Sequence, residues 1–451
     1  MQGTIYRACR VTTTRRNAAR TTSTGGSADN TRESLFNKIF QHRVTRNTGA
    51  LAIVQLVNYI APALVLIRLT RVLGLETYGV VAFSIGISQL AIVVLDLGFT
   101  LSATQKISVW RGRKEYVARL IGAIYGLKLI AFLLVAGALI GYAVGTEKYT
   151  DYSLLFIFSL LSVFGQCFQP VWFFIGLEQM RYITYFLVGA KVIFVLLVYL
   201  LVAHAGDYLW VPVADGLAQL AATATAISLV YRLGYRVAFP RWREMKYAFK
   251  MTFGFLISRL AGTAYMSSGV LILGLFSTPA AVAAYSLAEQ CYRAMTSAFN
   301  PIVQALYPHM AKEKNLLLLG KVTMGCAMLA VFGAVLGYIL APHLIPLVFG
   351  KSWDGVIPVL NVFFMAITVD VLNALSGYPL GAALGNLKVA NRTAVYGAIV
   401  YLLVAGVLLI LRWDTPVAFA WLTIVSLAYV LAHRAFVLGP AIYHARAQHG
   451  N

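Results

Sequence analysis

Five polar side chains inside an apolar run are the feature of this chain most able to do chemistry. Ala281 to His309 reads AVAAYSLAEQCYRAMTSAFNPIVQALYPH, apolar and long enough to cross a bilayer as one helix. Within it Glu289, Arg293, Ser297, Asn300 and Gln304 recur at steps of four, four, three and four. At 3.6 residues per turn they form one stripe. Such a stripe is costly against lipid, so it is expected to face protein or a water-filled cavity. Two roles suit it. It lines a path for a polar solute, or Glu289 and Arg293 neutralise each other at i,i+4 and hold packing.

Other apolar runs carry polar residues at helical spacing: Gln55, Asn58 and Pro62; Gln89, Asp96 and Thr100; Arg259 beside Gly262 and Thr263; Asn361, Asp370 and Asn373. Pro62 removes an intrahelical hydrogen bond and is expected to bend its helix. Arginine binds phosphate through a bidentate fork, so Arg259 and Arg293 would make a shared cavity cationic and suited to an anionic head group such as a pyrophosphate-linked sugar. Arg259 is alternatively a snorkelling residue near a helix end. Asp96, Glu289 and Asp370 are candidates for proton or sodium coupling, or for structural ion pairs. Lys128 and Lys191 line a lateral opening or mark a misplaced boundary, and Asp215 is read as a cap on an unwound helix. The histidines form no cluster, and the four cysteines have neither metal-site nor disulfide spacing. No GxxxxGK[ST] sequence is present. The chain is read as a non-enzyme without catalytic residue, metal or cofactor.

The elements that must position these groups follow from composition. The 451 residues are 60% hydrophobic and 12% charged, against about 25% charged in soluble domains, and mean hydropathy is +0.76. This is an integral membrane protein. Its net charge of +21 lies in short tracts between apolar runs, as topology signals do, rather than in a nucleic-acid surface. Residues 1 to about 32, rich in Arg, Ser and Thr, are expected to be a disordered bacterial tail rather than a transit peptide. Glu33 to Arg46 reads as a short amphipathic helix on an anionic membrane surface. About twelve spans follow, near 48–68, 78–104, 119–145, 151–175, 180–203, 208–231, 247–276, 279–310, 316–341, 355–385, 390–411 and 416–440.

With both termini cytoplasmic, 28 of the 37 Lys and Arg fall on the inner side, two counted at the C-terminus (Arg434 and Arg446) included, and four fall within spans. Only Arg68, Arg71, Lys148, Lys351 and Arg412 fall outside. Short matches also recur at a nearly constant offset. Ala82-Phe83-Ser84 answers Ala284-Tyr285-Ser286, and PVWFFIG from Pro170 answers PLGAALG from Pro379. The expected fold is all-α, with about twelve transmembrane helices in two pseudo-symmetric six-helix bundles (47–235 and 236–440) around a central cavity, followed by a cytoplasmic tail from 441. Spans one, two, seven and eight are expected to surround that cavity.

RLTRVLGLETYGVVAF (68–83), LDLGFTLSATQKIS (95–108), QPVWFFIGLEQM (169–180), AAYSLAEQCYRA (283–294) and NPIVQALYPHMAK (300–312) resemble the polysaccharide flippases of the multidrug/oligosaccharidyl-lipid/polysaccharide exporter superfamily. The resemblance covers roughly residues 46 to 440, with QPxWFFxGxExM its most specific piece, and the long basic tail departs from it. It implies two six-helix bundles alternating between inward- and outward-open forms. It implies transfer of undecaprenyl-pyrophosphate-linked oligosaccharide, an O-antigen or exopolysaccharide repeat unit, across the bacterial inner membrane with ion-gradient coupling. The partners it implies are that glycolipid, the bilayer, a proton or sodium ion and the polysaccharide polymerase machinery. Lumenal charge carries over to Glu289 and Arg293, and more loosely to Arg259. The competing readings are a cation-coupled multidrug exporter, a membrane glycosyltransferase or polymerase, and a scramblase or scaffold. The enzymes need a catalytic carboxylate motif or a large outer loop; the longest here, about 342–356, is too short for a catalytic domain, and its acid Asp354 stands alone.

Overall fold

Backbone amides and carbonyls have no water to bond in a bilayer core, and this chain satisfies them with helices. The structure, a computed structural model, describes the backbone of residues 26–449, and the side chains of residue 57 and of 60–252, 268–350 and 352–441. The chain falls into two compact units, Met1–Gln55 and Leu56–Asn451. The first is helical from Gly26, inside the stretch expected to be disordered, because a composition averaged over 32 residues hides a local helix start. The side chains of the amphipathic stretch 33–46 and of Gln55, Asn58, Arg259 and Thr263 lie outside the described residues. The second unit contains the segments able to span a membrane.

The helices are α1 (Gly26–Asp96), α2 (Phe99–Trp110), α3 (Lys114–Gly145), α4 (Ser153–Cys167), α5 (Val171–Gly176), α6 (Met180–Leu201), α7 (Trp210–Arg232), α8 (Trp242–Phe276), α9 (Pro279–Ser297), α10 (Asn300–Glu313), α11 (Leu316–Phe349), α12 (Ile357–Ser376), α13 (Tyr378–Ala383), α14 (Leu387–Ile410) and α15 (Pro416–His449). Among the described residues there is no strand. Nine segments among them are long and apolar enough to span a membrane. One of them, Ile60–Trp110, holds two arms, because α1 turns at Gly74, whose φ of 73° is a left-handed value natural to glycine. The break falls there and not at Pro62, through which the dihedrals stay helical. The second arm, α8, and α9 with α10 complete the expected twelve.

Packing repeats along the chain. α3 packs on α4, α4 and α6 on α7, α5 on α6, and α2 on α5; correspondingly α11 packs on α12, α12 and α14 on α15, α13 on α14, and α10 on α13. Helices α2 and α10 begin 201 residues apart, at Phe99 and Asn300, and the six-residue helices α5 and α13 begin 207 apart, at Val171 and Tyr378. The internal repeat is therefore real. Its second sequence match is shifted, however: Pro170 precedes α5, whereas Pro379 lies inside α13. Large apolar side chains such as Leu134, Leu200, Ile410 and Phe436 stay exposed, as a lipid-facing surface requires.

The two lobes meet closely at the end carrying residues 68–74, 146–152, 277–278 and 350–356. Phe83, seated on Tyr149 and Phe156 within the first lobe, faces Gly274 of α8, and Tyr78 meets Trp353 edge-on. The approach is too close for side chains at two glycines. A Cβ on Gly79 would collide with the Pro279 carbonyl, and one on Gly274 would enter the Phe83 ring.

Several cations are used to finish helices. The buried Lys128 Nζ donates to the Cys167 carbonyl at the end of α4 (2.7 Å). Arg434, 8% exposed, donates from Nη1 to the Asn373 carbonyl in the last turn of α12 (2.5 Å) and from Nε to Thr393 Oγ1 (2.9 Å). Arg68 Nε donates to the Val202 carbonyl that ends α6 (3.1 Å). Arg434, grouped from sequence with the inner-side charge, is thus part of the helical core. Lys128 lines no opening.

Thermal unfolding of the purified chain in detergent tests both features. Gly79→Ala should lower stability by about 1–3 kcal/mol through overpacking, whereas Gly137→Ala, with nothing within 4 Å, should not. Arg434→Met should cost about 1–3 kcal/mol by removing the charged hydrogen bonds to the Asn373 carbonyl and Thr393 Oγ1. An unchanged melting temperature for either Gly79→Ala or Arg434→Met would contradict the packing described.

Candidate functional site

The sequence stripe does not lie on one helix. Pro301 has no N–H to donate toward Ser297, and the chain breaks between α9 and α10. The Ser297 hydroxyl turns back onto the Ala294 carbonyl (2.7 Å). Glu289 and Arg293 therefore lie on α9, while Asn300 and Gln304 lie on α10, both exposed. Pro301 itself was the signal for this break.

Glu289 and Arg293 join by an i,i+4 ion pair, Arg293 Nη2 to Glu289 Oε1 at 2.9 Å. Glu289 is ten residues into α9, so it sits about 15 Å from that end, near the middle of a 30 Å hydrocarbon core. The pair is asymmetric in exposure: the Glu289 side chain is 14% exposed and that of Arg293 42%. The carboxylate is inside and the guanidinium fork is presented outward.

The pair opens on a cavity of about 100 Å³ lined by Gly269 of α8, Tyr285, Tyr292 and Thr296 of α9, Phe363 and Asp370 of α12, Tyr401 of α14, and Thr423 of α15. Asp370 accepts from the Tyr292 hydroxyl, and Arg293 acts electrostatically on it. The Tyr285 hydroxyl meets Thr423 Oγ1 at 3.5 Å, and Tyr292 stacks on Phe363 at 5.0 Å. Two carboxylates thus face one guanidinium within aromatic walls. The volume admits waters or a small ion and falls below the roughly 300–1,000 Å³ of pockets for organic ligands.

Of the expected site residues, the structure brings together Glu289, Arg293 and Asp370. Asp96 is elsewhere, at the end of α1, accepting from Thr100 Oγ1 (2.7 Å), and Gln89 is exposed on α1. Asp215 caps no unwound helix. It lies within α7, bonded to the Ser162 hydroxyl and to Gln219 Nε2 (3.1 Å). The groups lining this cavity come from α8, α9, α12, α14 and α15, all in the second half of the chain, whereas the pseudo-symmetry of the two halves places spans one and two beside seven and eight. Spacing arguments also miss Tyr285, Tyr292 and Tyr401. The first two share the helical face of Glu289 at steps of four and three, a pattern hidden by treating tyrosine as apolar.

The profile of the family described as "Polysaccharide biosynthesis protein" matches residues 44–314. Two curated proteins, each named "Putative O-antigen transporter", are similar. One, of Escherichia coli (strain K12), is 26% identical over 70% of this chain and 78% of its own length. The other, of Shigella dysenteriae, is 27% identical over 80% and 91%. Among solved structures, the lipid II flippase MurJ in an inward closed conformation aligns with a TM-score of 0.68 at 12% identity, covering 86% of this chain and 87% of that one. An inward-facing multidrug resistance MATE family transporter of the MOP superfamily aligns at 0.62 and 13%, covering 84% and 94%. These structural likenesses establish a two-lobe helical fold.

In a cysteine-free version, single cysteines at 293, 300 and 304 should react readily with a membrane-impermeant thiol reagent, one at 289 slowly, and one at the buried position 287 not at all. Failure of 293, 300 and 304 alike to react would make the α9–α10 face packing rather than lumen.

Proposed function

Because the chain belongs to the polysaccharide biosynthesis protein family, we propose that it is a flippase. It moves undecaprenyl-pyrophosphate-linked polysaccharide repeat units across the bacterial inner membrane by alternating access of its two lobes. The names of its O-antigen relatives support the substrate class. The observation that carries the reading is the half-exposed guanidinium of Arg293, held at mid-membrane depth by Glu289. A guanidinium offers five donors in a planar fork, and bidentate contact with phosphate is the use that suits its geometry. The small cavity does not hold the sugars. They travel in the lumen beside Asn300 and Gln304, whose amides match hydroxyl-rich solutes.

The same site provides coupling. Glu289 and Asp370 share one cation, Arg293. When the diphosphate draws the guanidinium outward, two carboxylates are left with a charge deficit that a proton or sodium ion fills. Anionic substrate and small cation are then linked through one side chain.

A second reading is favoured by a specific feature. Tyr285, Tyr292, Phe363 and Tyr401 around two carboxylates also suit a hydrophobic cation, the cargo of a multidrug exporter. Proteoliposomes separate the two. With the flippase reading, Arg293→Ala lowers translocation of undecaprenyl-pyrophosphate-linked oligosaccharide about tenfold or more, as loss of one charged contact predicts. Arg293→Lys should retain part of the activity. Glycolipid transfer indifferent to Arg293→Ala, together with uptake of a lipophilic cation that requires Glu289, would replace the flippase reading with the exporter one.

A further inference from the structure

Two of the cations that finish helices reach across from one lobe to the other. Arg71, in the first arm of α1, donates from Nε to the Val348 carbonyl (2.6 Å) and from Nη2 to the Leu347 carbonyl (2.9 Å), in the last turn of α11. Lys148, in the turn between α3 and α4, donates from Nζ to the carbonyls of Gly274 (2.8 Å), Leu275 (3.3 Å) and Ser277 (2.5 Å) at the end of α8. The first arm of α1 itself belongs with α6, through Arg68 to Val202 and Tyr199 to the Leu64 carbonyl. Both donors therefore sit on the first lobe, and their acceptors on second-lobe helices.

We propose that Arg71 and Lys148 form the latch that holds the lobes closed at the end assigned to the outside, and that both release each time the substrate leaves. The proposal rests on the alternating-access reading and adds the gating residues to it. The acceptors are orphan carbonyls at helix C-termini, where the dipole concentrates negative charge and a cation is held well. Asp414, on the loop before α15, adds attraction for Lys148. Neutral contacts line the same seam: Trp353 Nε1 donates to the Thr70 carbonyl (3.3 Å), and the Tyr149 hydroxyl donates to the Gly274 carbonyl (2.6 Å). The caps by Lys128, Arg434 and Arg68 each lie within one lobe and survive a rigid-body separation. Those by Arg71 and Lys148 do not. Their groups lie at a loop end where water can take over both donor and acceptor, so the latch opens without stranding a charge in hydrocarbon.

The test uses the full chain in proteoliposomes. A reporter cysteine replaces Leu271, which packs beside Gly86 within the seam, and its labelling by an impermeant thiol reagent is timed. Arg71→Ala with Lys148→Ala should speed labelling about tenfold, and Arg71→Lys with Lys148→Arg should bring it back toward the unaltered rate. Separately, Lys148→Cys and Ser277→Cys are bridged with a short, cleavable bifunctional thiol reagent. Bridging should stop glycolipid translocation and cleavage should restore it. Unchanged labelling in the double alanine variant, or full translocation in the bridged protein, would overturn the latch while leaving the flippase reading intact. If the unbridged protein translocates no glycolipid, the flippase reading fails, and the labelling rates still decide the latch.

Discussion

A helix that ends within or beside a bilayer leaves carbonyl oxygens with no donor, and this fold depends on how they are satisfied. α4 and α12 both stop short and hand over to six-residue helices, so each lobe exposes a helix C-terminus inside its own core. Lys128 fills one and Arg434 the other. Arg68, Arg71 and Lys148 do the same for α6, α11 and α8. These positions account for most of the basic residues that the charge rule places on the unexpected side. They are not topology signals. Each is a positive group placed at the negative end of a helix.

The repeat separates what architecture demands from what it does not. Both lobes break their second helix at the same place, but by different means. The first lobe uses the left-handed residues Leu97 and Gly98, with the Leu97 carbonyl accepting from Thr252. The second uses Pro301. In both, the break lets the following short arm pack on the six-residue helix, α2 on α5 and α10 on α13. At the 201-residue offset that relates the two breaks, Glu289 corresponds to Ser88 and Arg293 to Ile92. The first lobe folds around the same frame without a charged pair at that place. Glu289 and Arg293 are therefore an addition to the fold and not a condition of it, as the transport role proposed for them requires.

What could be read from the sequence divides along physical lines. Apolar length and the distribution of Lys and Arg located the spans, because both report on burial in lipid, which is a property of short segments. The repeat was visible in two short matches, although the alignment at Pro170 slid by two residues, because one helix start tolerates proline in more than one position. Helix spacing found Glu289 and Arg293. It could not find Asp370 as their neighbour, since contact between α9 and α12 is set by tertiary packing. Nor could it tell Lys128 from a charge beside an opening, or Arg434 from cytoplasmic charge, because their carbonyl partners are backbone groups with no signature in residue type.

The location of the cavity constrains how such a protein can work. Its lining comes from helices of the second lobe alone, so under the proposed alternating access the Glu289–Arg293–Asp370 group would move as one body. A site assembled from both lobes would have to be broken and remade on each side of the membrane, with a desolvation cost each time. Under that proposal the charged centre would stay whole, and the seam between the lobes would change its bonds. That seam is closed by aromatic edges, glycine clearances and cation-to-carbonyl contacts, and its polar contacts exchange for water at modest cost. Chemistry concentrated in one rigid lobe, with gating left to a weakly bonded seam, lets the ion pair remain tight while the molecule around it opens.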